Sequence, residues 1–202
     1  MIAFYRALSV SALLSMCSFS YADEPRTLIE AAFGQSQAKT FCDDFDSNLC
    51  EDTDRAFRVG VSQLINTNLR ANFSYIDFGQ FEINGANSVA QLQISAKASA
   101  VAAQLEINAP IAKAAVYMRG GLAISFVEVK AFGQNFQQNI KASSSENDTS
   151  LDPILGLGFR LPLNEHIGLM GEYQLLMDAG NEETTGEDDV SFMGVGIQVT
   201  LQ

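Results

Sequence analysis

Between Asp54 and Gly79 the chain reads DRAFRVGVSQLINTNLRANFSYIDFG, and its polarity switches at almost every residue. Phe57, Val59, Val61 and Ile65 fall on one face of a first extended segment. Leu69, Ala71, Phe73 and Tyr75 fall on one face of a second. Arg58, Gly60, Ser62, Arg70, Asn72 and Ser74 point the other way. A helix would scatter these residues around its axis. A strand, with its period of two, sorts them onto two faces that meet two different solvents.

The start of the chain says which solvents. Arg6 is the only charge before Asp23, Ala7 to Phe19 is apolar or small, and Ser20-Tyr21-Ala22 is a small-x-small site. This pattern predicts a secretory signal over 1–22, cleaved after Ala22, and a single domain over 23–202. The apolar run is shorter than the ~20 residues a spanning helix needs, which argues against a membrane anchor. Met16 is bulky for the position before a lipidated cysteine, which argues against a lipoprotein at Cys17. Cleavage removes one cation and no acid, so the formal charge, −12 for the whole chain, becomes more negative by one. Such acidity argues against nucleic-acid partners and against unaided docking on anionic headgroups. Past Ala22 no apolar run reaches helix-spanning length. A mature chain that crosses a membrane must therefore cross it as a closed barrel of strands.

Eight strands can be drawn. The first is Thr27 to Lys39, and the second and third are those described above. The fourth lies within Val89 to Ile107, Ala-rich, with an alternation that changes phase near Ser99 and suggests a bulge. The others are Ala114 to Val129, Ile154 to Leu161, His166 to Asp178 and Val190 to Gln202. Asn66 to Asn68, Asn108 to Lys113 and Pro162 to Glu165 are short connections. Thr40 to Asp54, Gln80 to Ser88, Phe132 to Ser150 and Ala179 to Asp189 are longer and polar. Short and long connections alternate. Up-and-down strands then put every short turn at one end and every long loop at the other, as outer-membrane barrels do. A soluble periplasmic β-barrel carrier would alternate too. Against it, Arg70, Arg119, Arg160 and Glu172 lie in mid-strand beside Gly, Ser and Gln, which suits a narrow polar lumen.

The residues from Gly34 onward resemble the OmpA-like transmembrane barrel family, the small eight-stranded outer-membrane β-barrels. The likeness rests on Gly34-Gln35-Ser36, on Phe41-Cys42 with Cys50-Glu51-Asp52-Thr53-Asp54, on Tyr75-Ile76-Asp77-Phe78-Gly79 and on Gly171-Glu172-Tyr173. It implies an all-β, eight-stranded antiparallel up-and-down transmembrane barrel in the outer membrane, with long loops facing outward. Two departures stand out. The family usually ends in an aromatic residue that aids recognition by the barrel-assembly machinery, and here the last residues are Leu201-Gln202. The peptidoglycan-binding domain of longer relatives is also missing, so cell-wall anchoring is not expected.

Candidate chemistry is sparse. Cys42 and Cys50 form a close pair in one loop, which in an oxidising compartment is most simply a disulfide. The chain-entropy estimate gives it about 2–3 kcal/mol. Zinc is the alternative, with no further soft ligand nearby. Asp44-x-Asp46-x-Asn48 starts like a calcium loop, but Leu49 and Arg55 stand where Gly and Glu would be needed. Asp43, Glu51, Asp52 and Asp54, like Glu182, Glu183, Glu187, Asp188 and Asp189, then read as solvated acidic loops. Glu30, Arg70, Arg119, Arg160 and Glu172 face the lumen and are expected to pair, because a buried lone charge is costly. His166 is the single histidine and sits beside a short turn. No catalytic residue, cofactor or metal follows from these patterns.

The expected protein is a non-enzymatic barrel contributing to membrane integrity and surface interaction. Its expected partners are outer-membrane lipids, lipopolysaccharide and the assembly machinery. A small gated ion pore, and an adhesin or ligand-binding barrel working through the disulfide-stapled loop, are the alternatives.

Overall fold

A computed structural model describes residues 26–42, 49–86, 90–136, 140–181 and 185–201. The expected signal, Asp43, Asp44, Asp46, Asn48, Glu182, Glu183 and Gln202 lie outside these residues. The chain runs β1 (Thr27–Ala38), β2 (Cys50–Glu51), β3 (Thr53–Leu64), β4 (Leu69–Ala86), β5 (Ala90–Ile111), β6 (Ala114–Asn135), β7 (Ile140–Pro162), β8 (Ile167–Asn181) and β9 (Gly186–Leu201). β2 is a two-residue strip paired to the upper part of β4. The other eight close a ring, β1-β3-β4-β5-β6-β7-β8-β9 and back to β1, every pair antiparallel. The fold is the expected all-β up-and-down barrel.

The outward face explains the alternation. Phe33, Phe73, Met118, Leu157, Val195 and Ile197 stand more than half exposed around the barrel, Val195 at 72%. So continuous an apolar belt belongs against lipid rather than water.

Three of the four longer connections contain far more strand than the sequence suggested. β6 and β7 are 22 and 23 residues long and pair from Ala115↔Arg160 up to Asn135↔Ile140. A tilted strand needs only ~9–11 residues to span the membrane. Most of Phe132 to Ser150 is therefore ladder that rises out of the bilayer, as are Gln80 to Ala86 and parts of Ala179 to Asp189. These stretches lose the apolar–polar alternation because water bathes their outer side. They stay extended because cross-strand bonds satisfy the backbone.

The suspected bulge lies on the neighbouring strand. β5 keeps an unbroken register with β6 through Ser99↔Phe126. The shift falls in β4 between Asp77 and Gly79, which face Ser99 and Ala98. Gly79 has φ +79°, a conformation open to glycine, and the Asp77 carboxylate accepts its N–H at 2.9 Å. The phase change read in β5 has another cause. Its inward residues stay on the even positions but pass from Gln104 and Glu106 to Ala102, Ala100, Ala98 and Ala96. Outward, Leu105 and Val101 give way to Ser99 and Lys97.

Candidate functional site: a lumen in two layers

The inward side chains form two cores stacked along the barrel axis. The first lies toward the short turns and is ionic. Glu30 on β1 is fully buried and accepts hydrogen bonds from four strands. Arg58 donates from β3 at 3.0 and 3.1 Å, Arg119 from β6 at 2.7 Å and Arg160 from β7 at 2.8 Å. Ser62 and Asn72 add bonds of 3.0 and 3.3 Å. In the ring β1 and β6 are diametrically opposite, so the Arg119–Glu30 pair crosses the whole lumen.

Two further carboxylates complete the layer. Glu106 on β5 accepts from Arg119 Nε at 2.7 Å and from both terminal nitrogens of Arg160 at 2.5 Å. Glu172 on β8 accepts from Arg119 Nη1 at 3.0 Å, Arg58 Nη1 at 3.3 Å and Tyr117 Oη at 3.1 Å. The Tyr117 ring sits under two guanidiniums, with Arg119 at 4.6 Å and Arg160 at 4.0 Å from its centroid. A Cβ at Gly158 would overlap that ring, so the glycine makes the space the tyrosine occupies. Three arginines and three glutamates thus balance in charge, each with several partners, as so buried a cluster requires.

Of the five charges expected here, Glu30, Arg119, Arg160 and Glu172 meet at the centre. Arg70 stands at the edge, its Nε 3.8 Å from Glu106. Sequence reasoning left out Arg58, although it had placed this residue on the polar face, and also Glu106. Glu106 lies on β5, where the phase change near Ser99 obscured which residues face inward.

The second layer is apolar and sits above the first. Ile76, Phe78, Ala100, Ala102, Ile154, Leu176 and Phe192 show no exposure and join one cluster with Ala32, Ala56 and Ala123. The alanines of β5 share this cluster with the Phe78 and Phe192 rings. Ser36 closes one gap by donating to the Phe78 carbonyl across the bulge. Polar groups interrupt the layer: Ser36 and Gln174 are buried beside Phe192, and the buried Asp152 carboxylate accepts from Ser125 and from Ser150.

At the mouth, Cys42 and Cys50 are disulfide-bonded, with Cα atoms 5.7 Å apart. The bond holds Phe41 over Phe81, ring centroids 6.1 Å apart. Outside the barrel wall, Lys39 pairs with Asp189 at 3.1 Å, and this hydrogen bond holds its ammonium above the usual lysine range. His166 is exposed in the β7–β8 turn, where its backbone N–H donates to Asn164.

Solved structures share this architecture. Ail, the attachment invasion locus protein of Yersinia pestis, matches with a TM-score of 0.52 at 16% identity, covering 89% of this chain and 100% of that one. The outer membrane protein OprG from Pseudomonas aeruginosa matches with 0.53 at 12% identity, covering 88% and 96%. A major outer membrane protein from Thermus thermophilus matches with 0.52 at 10% identity, covering 89% and 100%. At such identities the likeness is one of fold. No curated protein sequence matches significantly. The family model of the outer membrane protein β-barrel domain matches residues 7–202. The chain therefore belongs to the outer membrane β-barrel family, and its place is the outer membrane of a Gram-negative cell.

Proposed function

We propose that this protein is a closed, non-conducting and non-enzymatic barrel that contributes to outer-membrane integrity and presents a tall acidic surface to the outside. The observation that carries this reading is the doubly sealed lumen. An ion entering from the short-turn end meets a cross-section filled by Arg58, Arg119, Arg160 and their glutamates. Beyond them stand Phe78, Phe192 and Leu176, all fully buried. Eight-stranded barrels are narrow enough for side chains to fill.

In this reading the polar parts of β4 to β7 above the membrane meet other surfaces. The apolar belt meets outer-membrane lipid and lipopolysaccharide, the leader 1–22 is removed on export, and the assembly machinery inserts the rest. No surface ligand is assigned. The rival is a small gated ion pore, in which the ionic layer is the gate.

Planar-bilayer recording of the refolded protein separates the two. A silent membrane at both polarities is expected, together with increased leakage of outer membranes lacking the protein. Steady single-channel steps from the unaltered protein would replace this proposal with the pore.

A further inference from the structure

The apolar layer does not fill the barrel to its mouth. Above it lies a cavity of about 310 Å³, at the small end of the range for ligand sites. Its walls include Phe41, Phe81, Ile83, Val127, Val129 and Val190, from β1's end, β4, β6 and β9. The next inward residues down β4 and β9 are Phe78 and Phe192, both without exposure, so the chamber has a floor. It is a greasy pocket at the outward end of the described barrel, unlike the polar lumen beneath.

The rim has the opposite character. Thr40, Thr185, Glu187 and Asp188 line it. Both Asp188 oxygens accept the Thr40 backbone N–H, at 2.9 and 3.1 Å, which fixes the carboxylate in place without neutralising it. The nearby cation, Lys39, pairs with Asp189. Among the described residues Glu187 and Asp188 form no ion pair. Below the chamber the buried Asp152 carboxylate has, among the described residues, the Ser125 and Ser150 hydroxyls as its hydrogen-bond partners. Lys39 also lies within electrostatic reach of Asp188, so one ammonium is set against Glu187, Asp188 and Asp189 and the rim stays net negative. Apolar walls under such a rim suit one ligand chemistry.

We infer that this chamber binds a small amphiphilic cation, with its alkyl or aryl body inside and its ammonium head against Glu187 and Asp188. The apolar walls supply the affinity through buried area, and the rim selects the sign of the head. The disulfide has a part in this, because it holds Phe41 as one wall. The inference is independent of the integrity role and of whether the barrel conducts.

The test is calorimetric titration of the full protein in phosphatidylcholine nanodiscs, with empty discs subtracted. The probes are octyltrimethylammonium and octanesulfonate, which share one chain and differ in head charge. Saturable one-site binding of the ammonium is expected, about tenfold or more tighter than the sulfonate. Ala98→Leu fills the chamber and should abolish it. Glu187→Lys should weaken the ammonium and strengthen the sulfonate. Its side chain is at the exposed rim, so it decides the matter even if Ala98→Leu fails to fold. A gel shift between unboiled and boiled samples confirms each barrel. Heat identical to that of empty discs, equal binding of both probes, or ammonium binding indifferent to Glu187→Lys would each overturn the inference.

Discussion

The lower and upper halves of this barrel use one strand pattern for opposite purposes. Below, on β5, the outward residues are Ile107, Leu105 and Ala103, and the inward ones are Asn108, Glu106 and Gln104. Above, the outward residues are Ser99, Lys97 and Ser95, and the inward ones are Ala100, Ala98 and Ala96. β6 does the same, from Met118 outside and Arg119 inside to Lys130 outside and Val129 inside. On β5 and β6 the pleat keeps its phase while the solvent changes; β4 and β8 instead shift register, at Asp77/Gly79 and Leu176/Ala179. Where lipid surrounds the wall, the polar residues turn inward and satisfy one another. Where water surrounds it, the apolar residues turn inward, as in a soluble barrel. On β5 and β6 the membrane boundary is thus written as an inversion of polarity at constant phase.

The comparison can be broken most sharply by conductance. Two seals in series mean that opening one leaves the path shut. Arg119→Ala alone should stay silent, because the apolar layer still excludes water, and so should Phe192→Ser alone. The double substitution should give channel steps in planar bilayers. Conduction by either single variant would show that one layer does all the sealing.

Stability should separate the layers next. Glu30→Gln leaves three guanidiniums around a neutral amide and should cost about 3–5 kcal/mol, the scale for breaking a buried ion pair. The readout is the urea midpoint of the unboiled gel band. A loss under about 1 kcal/mol would mean the lumen rehydrates and the ionic layer is soft. Ile76→Val, in the apolar layer, should cost about 0.5–1.5 kcal/mol by the same assay. A cost as large as that of Glu30→Gln would place the barrel's rigidity in the upper core.

The smallest effect is expected outside both layers. Lys39→Ala removes an exposed ion pair and should shift the midpoint only slightly. Asp189 raises the lysine's folded value. Its contribution is therefore full below the unfolded lysine range and fades as pH climbs through the folded value. The variant and the unaltered protein should converge in strongly alkaline buffer. A difference that persists there would assign the effect to something other than the charge.

Much of this fold is legible in the chain because its signals are local. Period-two alternation over Phe57 to Tyr75, short turns such as Asn66 to Asn68 and the alternation of short with long connections each need only neighbouring residues. Together with the requirement that no strand edge face lipid, they dictate a closed up-and-down barrel. Cys42 and Cys50, eight positions apart, are local in the same sense. The contents of the lumen are not. Arg119 finds Glu30 from 89 residues away, because ring closure puts β6 across from β1. Whether Arg70 or Arg58 reaches the centre depends on its height in the barrel, which cross-strand register decides and composition does not. The long connections became ladders for a related reason: above the bilayer no apolar stripe is needed outside, so the sequence loses its strand signal while the hydrogen bonds remain. The chain alone determined that a barrel forms and which way the side chains of its regularly alternating strands point. Tertiary structure decided what those side chains meet, because partners across a closed lumen are chosen by geometry.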